Sequence, residues 1–378
     1  MERISEDELI RIRRELHQIP EIGLEEEKTS SYLLENIRAL PQDRLIIKVQ
    51  DTAIIVIVKG KNSSKTIAWR TDMDALPILE NTDLAFQSTH EGVMHACGHD
   101  FHMTIALGLL KNVVNAQLNN DVVFFFQPAE ENKSGAKIYT DNHFLDVAMI
   151  DEIYGLHVSP TLPVGSVSTC VGTLFAGDCG FSARFYGKES HAALPHEGND
   201  MIVAVSSFVQ QIQTIVSRNV NPMESAVITF GQLNAGVASN VLPGSAKLTG
   251  TIRTLTHEMT DLVVQRVKDI VKGIEVAYQC KIEIDFNQLG YVPVVNDKDT
   301  TTKLMDFFNE QQDMMVEIAT PLMTAEDFGY LLKQIPGTMF WLGVDSQYGL
   351  HHPSFNPNES ALIKGVTLMT DYFIAQDN

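Results

Sequence analysis

Short β-prone runs alternate with helical patterns through the first third of the chain, and that alternation leaves few architectures open. Ser5 stands three residues before Glu8, and apolar Leu9, Ile10, Ile12 and Leu16 follow at helical spacing. This pattern predicts a capping box and an amphipathic helix. A second helix is predicted over 25–37, then β-branched or aromatic runs over 45–58, 66–69 and 121–127, with a helix over 102–118 between the last two. Buried runs of this kind, separated by helices, imply an α/β sheet containing parallel pairs.

The rhythm changes at about residue 177. A strand over 180–186, a helix over 199–217, strands over 225–233 and 246–254, a helix over 257–278 and a strand over 281–285 make the order βαββαβ. That is a ferredoxin-like unit complete in itself. The expectation is therefore a first domain of residues 1–176 and 287–378, with 177–286 inserted into it. A length of 378 residues is also too great for one ordinary core. Helices over 301–310, 326–334 and 359–372 and a strand over 338–342 would complete the first domain.

Charge narrows the function classes. Lys and Arg number 28 against 48 Asp and Glu, a formal charge of −20. Such a field repels phosphate backbones, so neither nucleic acid nor an anionic membrane is an expected partner. The longest strongly apolar run, 53–58, is far shorter than the roughly 20 residues of a membrane helix. The start, MERISEDELI, lacks the basic residues and apolar stretch of a secretory signal, which points to the cytoplasm. Cys97, Cys170, Cys179 and Cys280 form neither a disulfide framework nor a C-x-x-C pair.

The chemistry-bearing residues gather where strands end. Asp72 and Asp74 follow one run, Glu130 and Glu131 another, and His157 closes a strand starting near Glu152. In open α/β sheets the carboxyl edge is where ligands bind. Cys97, His99, Asp100 and His102 lie in MHACGHDFH, a turn entering a helix, and His351 and His352 come late in GLHHP. Taken singly, an Asp-x-Asp is usually a solvated turn, a Glu pair surface charge and a lone histidine a structural one. Together, His, Cys and carboxylate donors suit zinc first, with manganese, cobalt or nickel where carboxylates contribute. Adjacent Glu130 and Glu131 suggest divided labour, one binding metal and its neighbour accepting a proton from water.

RTDMDALP, MHACGHDFHM, FQPAEE, GLHVSPTLPVG, HAALPH, SNVLPG, GTIRTL, MTAEDFGY and GLHHPSF occur in the order found in the amidohydrolase branch of the co-catalytic metallopeptidase superfamily. The resemblance runs nearly end to end. It implies a mixed-sheet metallopeptidase catalytic domain with the ferredoxin-like insert as lid or dimerisation domain. Within the branch the chain is most similar to bacterial deacetylases of N-acetyl-L,L-diaminopimelate, on the strength of PQDR, MTIALG, TIVSRN, VVKGIE and MTAEDFGYLLK.

The resemblance further implies two divalent ions held by Cys97, His99, Glu131, His157 and His351, with Glu130 as general base. Asp72 would be the acidic residue of the D-x-D motif, a role Asp74 could also fill. His191 would polarise the substrate carbonyl, and Asn240 and Arg253 would bind the substrate backbone and α-carboxylate. The implied partner is a small N-acyl amino acid, and a homodimer through the inserted domain is an expected assembly. Two departures stand out: Glu189 and Ser190 replace the Gly-Gly that often precedes the His191 position, and Asn132 and Lys133 replace Gly and Pro after the glutamate pair. Rival readings are a broader aminoacylase, carboxypeptidase or dipeptidase, and, more remotely, a catalytically inactive metal- or peptide-binding protein.

Overall fold

The computed structural model describes residues 3–377. Residues up to 174, with 295–320 and those from 330 onward, form one compact unit; 175–294 with 321–329 form another.

The first unit is built on an eight-stranded mixed sheet. Its strands lie in the order Leu45–Gln50, Ala53–Val58, Asp121–Gln127, Thr66–Asp72, Glu152–Ser159, Gly337–Gly343, Ser166–Thr169, Met315–Ile318. Thr66–Asp72 pairs in parallel with both Asp121–Gln127 and Glu152–Ser159, and Gly337–Gly343 runs parallel to Glu152–Ser159. Four neighbouring strands thus end at one edge. Every residue of Asp121–Gln127 and Glu152–Ser159 is buried, as strands covered on both faces require.

The run over 45–58, expected as one β segment, is a hairpin. Asp51, at φ 52°, turns the chain so that Gln50 pairs with Ala53 and Leu45 with Val58. Polar Gln50-Asp51-Thr52 interrupts the apolar run there, and aspartate tolerates the left-handed conformation.

Ser5 caps the Glu6–His17 helix, its Oγ accepting from Glu8 N at 3.3 Å, but the box is not closed, because the Glu8 carboxylate binds Lys111 Nζ at 2.7 Å instead; the helix buries Leu9, Ile12 and Leu16. It packs on the His99–Ala116 helix, which also meets the Ser360–Ala375 helix. Gly108 permits that close approach, since a Cβ there would lie 2.8 Å from both Leu9 and Val366. Trp69, Phe124, Phe126, Phe340 and Phe373 fill the core between helices and sheet. Each large apolar side chain buried there contributes about 1.5–3 kcal/mol.

The second unit carries a four-stranded antiparallel sheet in the order Ala226–Ala235, Ser245–Thr254, Gly177–Tyr186, Lys281–Asn287. With the helices Met201–Arg218 and His257–Tyr278, the elements follow one another as βαββαβ, the order read from the sequence. Strand residues Cys179, Phe181, Ala183 and Phe185 alternate inward onto Phe208, Ile212, Val263 and Val267. Asp200 and Thr256 cap the two helices, accepting from Ile202 N and Met259 N. A ribbon not foreseen in the sequence pairs Ser190–His191 with Val241–Leu242. Among the described residues, no helix is long and apolar enough to cross a membrane.

Candidate metal centre

The carboxyl edge of the first unit's parallel strands gathers donors from five segments. Asp72 is the last residue of its strand, His157 lies within Glu152–Ser159, and His99 opens the His99–Ala116 helix immediately after Gly98. Gly98 sits at φ 86°, a left-handed turn that glycine adopts at little cost. Its missing side chain also matters, because a Cβ would stand 2.5 Å from Val158 Cγ2. His351 is itself left-handed, at φ 62°, and is held by its N–H donating to Ala96 O at 2.8 Å. Such a conformation costs a non-glycine residue about 1–2 kcal/mol, so the surrounding contacts must impose it.

Five groups of three close donors result among the described residues, and two of them contain Cys97. Cys97, His99 and His157 bring ligand atoms within 4.8 Å of one another, and so do Cys97, Glu131 and His351. Cys97 belongs to both. Its Sγ lies 3.4 Å from His157 Nε2 and 3.3 Å from His351 Nε2; Glu131 Oε1 lies 3.4 Å from His351 Nε2 and 3.8 Å from His99 Nε2. Ligands at about 2.0–2.3 Å from one tetrahedral ion stand roughly 3.3–3.8 Å apart, so the spacing fits shared cations. His99 Nε2 and Glu131 Oε1 are moreover buried with no hydrogen-bond partner. Glu130 joins His99 and Glu131 in a further group of close donors.

The surrounding hydrogen bonds aim these donors. Val158 N donates to His102 Nε2 at 3.0 Å, so His102 carries its hydrogen on Nδ1 and gives it to Asp72 Oδ1 at 2.7 Å. His157 Nδ1 donates to Val158 O at 2.9 Å, which leaves a lone pair on Nε2, the atom facing Cys97. Asp72 is further held by Arg70 Nη1 at 2.9 Å. Asp74 takes other partners: its two oxygens accept from Glu130 N at 3.0 Å and Glu131 N at 2.9 Å, and Oδ1 lies 3.4 Å from His99 Nδ1. The two aspartates thus divide the work, Asp72 orienting His102 and Asp74 the glutamate loop.

Electrostatics favour cations here. Burial and then the Glu131 and Glu130 charges push the Cys97 thiol well above its ordinary range. Burial would lower the His99 pKa, yet Asp72, Asp74 and Glu131 outweigh it and raise the value to about 10. A proton there does what a cation would do. Burial, with His102 beside it, drops His157 to about 3 and keeps its imidazole neutral, the form that binds metal. Burial also acts to raise Asp72, but His102, His99 and Arg70 hold it well below the carboxylate range.

Seven of the residues singled out in the sequence, namely Asp72, Cys97, His99, Glu130, Glu131, His157 and His351, therefore meet in one unit. His191, Asn240 and Arg253 lie in the other. His191 and Asn240 adjoin on the two-stranded ribbon, where Ala192 N donates to Asn240 O at 3.1 Å and His191 Nδ1 accepts from Ala193 N at 3.1 Å. Arg253 stands apart on the Ser245–Thr254 strand, paired with Asp178 at 3.1 Å. The orienting role of His102 is not legible in the sequence, although the residue stands in the same six-residue segment as Cys97.

The chain is 49% identical over 375 residues, 99% of both chains, to an N-acetyldiaminopimelate deacetylase of Enterococcus faecalis. It is 52% identical to one of Streptococcus gordonii, covering 93% of this chain and 94% of that one. Among solved structures, a methicillin-resistant Staphylococcus aureus protein described as an aminohydrolase superposes with a TM-score of 0.93 at 33% identity, covering 99% of this chain and 97% of the other. A Bacillus subtilis protein described as a dinuclear metal-binding peptidase of the M20 family gives 0.87 at 28% identity, over 98% of each chain. Residues 68–375 match peptidase family M20/M25/M40, so the chain, with its donors converging on one sheet edge, belongs to that family.

Proposed function

We propose that this chain hydrolyses N-acetyl-L,L-2,6-diaminopimelate to L,L-2,6-diaminopimelate and acetate, a deacetylation serving diaminopimelate and lysine biosynthesis. The observation that carries the reading is the pair of donor triads sharing Cys97, with the Glu130 carboxyl beside them. Full-length likeness to deacetylases of that substrate supports the acyl group and the amine.

Cys97, His99 and His157 would hold one divalent ion and Cys97, Glu131 and His351 a second, zinc first and manganese, cobalt or nickel as alternatives. Ions held by these residues would supply Lewis-acid polarisation of the acetyl carbonyl and a lowered pKa for the attacking water. Glu130 takes the proton of the attacking water and passes it to the leaving amine nitrogen, so one water and one amide become acetate and an amine. Asp74 keeps the backbone of Glu130 and Glu131 fixed during that transfer. Asp72, through His102, holds the ring geometry behind His157. His191 and Asn240 would meet the substrate carbonyl and backbone, and the Arg253 guanidinium its α-carboxylate through paired hydrogen bonds. The inserted domain serves as lid and dimer contact, and the enzyme works in the cytoplasm.

The test is acetate release from N-acetyl-L,L-diaminopimelate, beside N-acetylornithine and hippurate, with metal restored and after chelation. Chelator-sensitive turnover confined to the first substrate is expected. Comparable turnover of the others would remove the named substrate, and none on any would return the chain to a binding role.

A further inference from the structure

Glu26 stands at the N-terminus of the Glu27–Arg38 helix, where an acidic side chain ordinarily caps the helix's own N–H groups. It does not. Its fully buried carboxyl turns away, Oε1 accepting from Ala129 N at 2.9 Å and Oε2 from the Thr52 hydroxyl at 2.8 Å. Ala129 is left-handed, at φ 58°, and immediately precedes Glu130. With Asp74 taking Glu130 N and Glu131 N, three consecutive peptide N–H groups are held by three oxygens of two buried carboxyls. The segment before Glu26 presses on the same loop, since a Cβ on Gly23 would lie 2.8 Å from Ala129 Cα. Gly135 N closes it from the other side, donating to Ala129 O at 3.1 Å.

We propose that Glu26 is a positioning residue for hydrolysis, fixing the left-handed turn at Ala129 so that the next residue, Glu130, presents its carboxyl to the attacking water. The proposal rests on Glu130 being the general base. Asp74 alone cannot do this work, because it restrains the peptide groups of Glu130 and Glu131 but not the turn that leads into them. An apolar side chain would leave the buried Ala129 N–H without an acceptor, and the carboxyl is kept there although burial, and then nearby Asp74, raise its pKa to about 7. An amide could make the same two contacts, its oxygen accepting from Ala129 N and its nitrogen donating to Thr52 Oγ1.

The test compares Glu26→Ala, Glu26→Gln, Thr52→Val and Glu130→Gln in the full chain at saturating metal, measuring kcat, KM and bound metal on folded protein. Glu26→Ala is expected to lower kcat about 10–100-fold, the range of a lost orienting partner, with KM little changed. Glu26→Gln should restore kcat to within about threefold, and Thr52→Val should lose only a few-fold. Wild-type kcat in Glu26→Ala alongside an inactive Glu130→Gln would overturn the positioning role and leave the base assignment standing. Equal loss in Glu26→Ala and Glu26→Gln would also overturn it, since the amide keeps the contacts. Should Glu26→Ala fail to fold, Thr52→Val decides: a few-fold loss of kcat with KM and bound metal unchanged supports the role, and wild-type kcat overturns it. An active Glu130→Gln would remove the base and this proposal with it.

Discussion

Replacing Asp100 by Ala should destabilise the first unit severely while its partner Arg13 stays in place. The Asp100 side chain is buried and accepts from Arg13 Nε at 3.0 Å and His17 Nδ1 at 2.7 Å. Arg13 is fully buried, its Nη2 has no hydrogen-bond partner, and its remaining anion is Glu359, 3.3 Å from Nη1. Two charge-assisted bonds contribute about 1.5–3 kcal/mol each, and removing one partner of a buried pair costs about 3–5 kcal/mol because a charge is stranded. Glu359 and the Phe86 and Phe101 rings against the guanidinium offset part of this, so the lower half of that range is expected. At about 2–4 °C per kcal/mol for a unit of this size, the Tm should fall by roughly 6–16 °C. Thermal unfolding followed by circular dichroism reads the shift. The double replacement Asp100→Leu with Arg13→Met should recover much of it, because the buried Arg13 charge is then removed together with its partner. A single-variant shift under about 2 °C, or a double variant worse than the single, would refute the stranded-charge reasoning.

Other expectations follow from the same geometry. Glu130→Gln should lower kcat by about 10²–10⁴ with bound metal unchanged, as stopped-assay rates and metal analysis will show. Cys97→Ala should reduce the content of both ions, whereas His157→Ala and His351→Ala should each reduce chiefly one, measured by elemental analysis after dialysis. His102→Phe, which breaks the bridge from Asp72 to Val158 N, should weaken metal affinity about 10–100-fold in a competitive chelator titration. Glu152 is paired with Lys65 at 2.7 Å, and although burial acts to raise its pKa, Lys65 and Tyr154 bring it below the ordinary value. A lowered folded pKa stabilises above the unfolded value of about 4.3 and is lost as pH falls through the folded one. The stability gap between wild type and Glu152→Gln should therefore hold from pH 7 to about 5 and close below about 4 in urea titrations.

Much of this molecule is written in local pattern. Alternating apolar runs, the Ser5 helix cap and the βαββαβ order depend on residues within a few turns or strand lengths of each other, and so were legible in the sequence. The donor chemistry was legible as well, because Cys97, His99 and His157 are the residue types that metals demand and they sit beside strand ends. What the sequence could not carry is which donors meet. Cys97 shares one triad with His157 and another with His351, which follows it by 254 residues, and only the sheet order brings those segments to one edge. The hairpin at Asp51 and the ribbon joining His191 to Val241 were missed because two-residue turns and pairings leave little periodic signal. Glu26 had none at all: in sequence it is one of three successive glutamates, Glu25 to Glu27, and only its burial against Ala129 distinguishes it from its solvated neighbours. Residue type and spacing thus decide which chemistry is available, whereas long-range packing, which sets distance and desolvation together, decides which groups perform it.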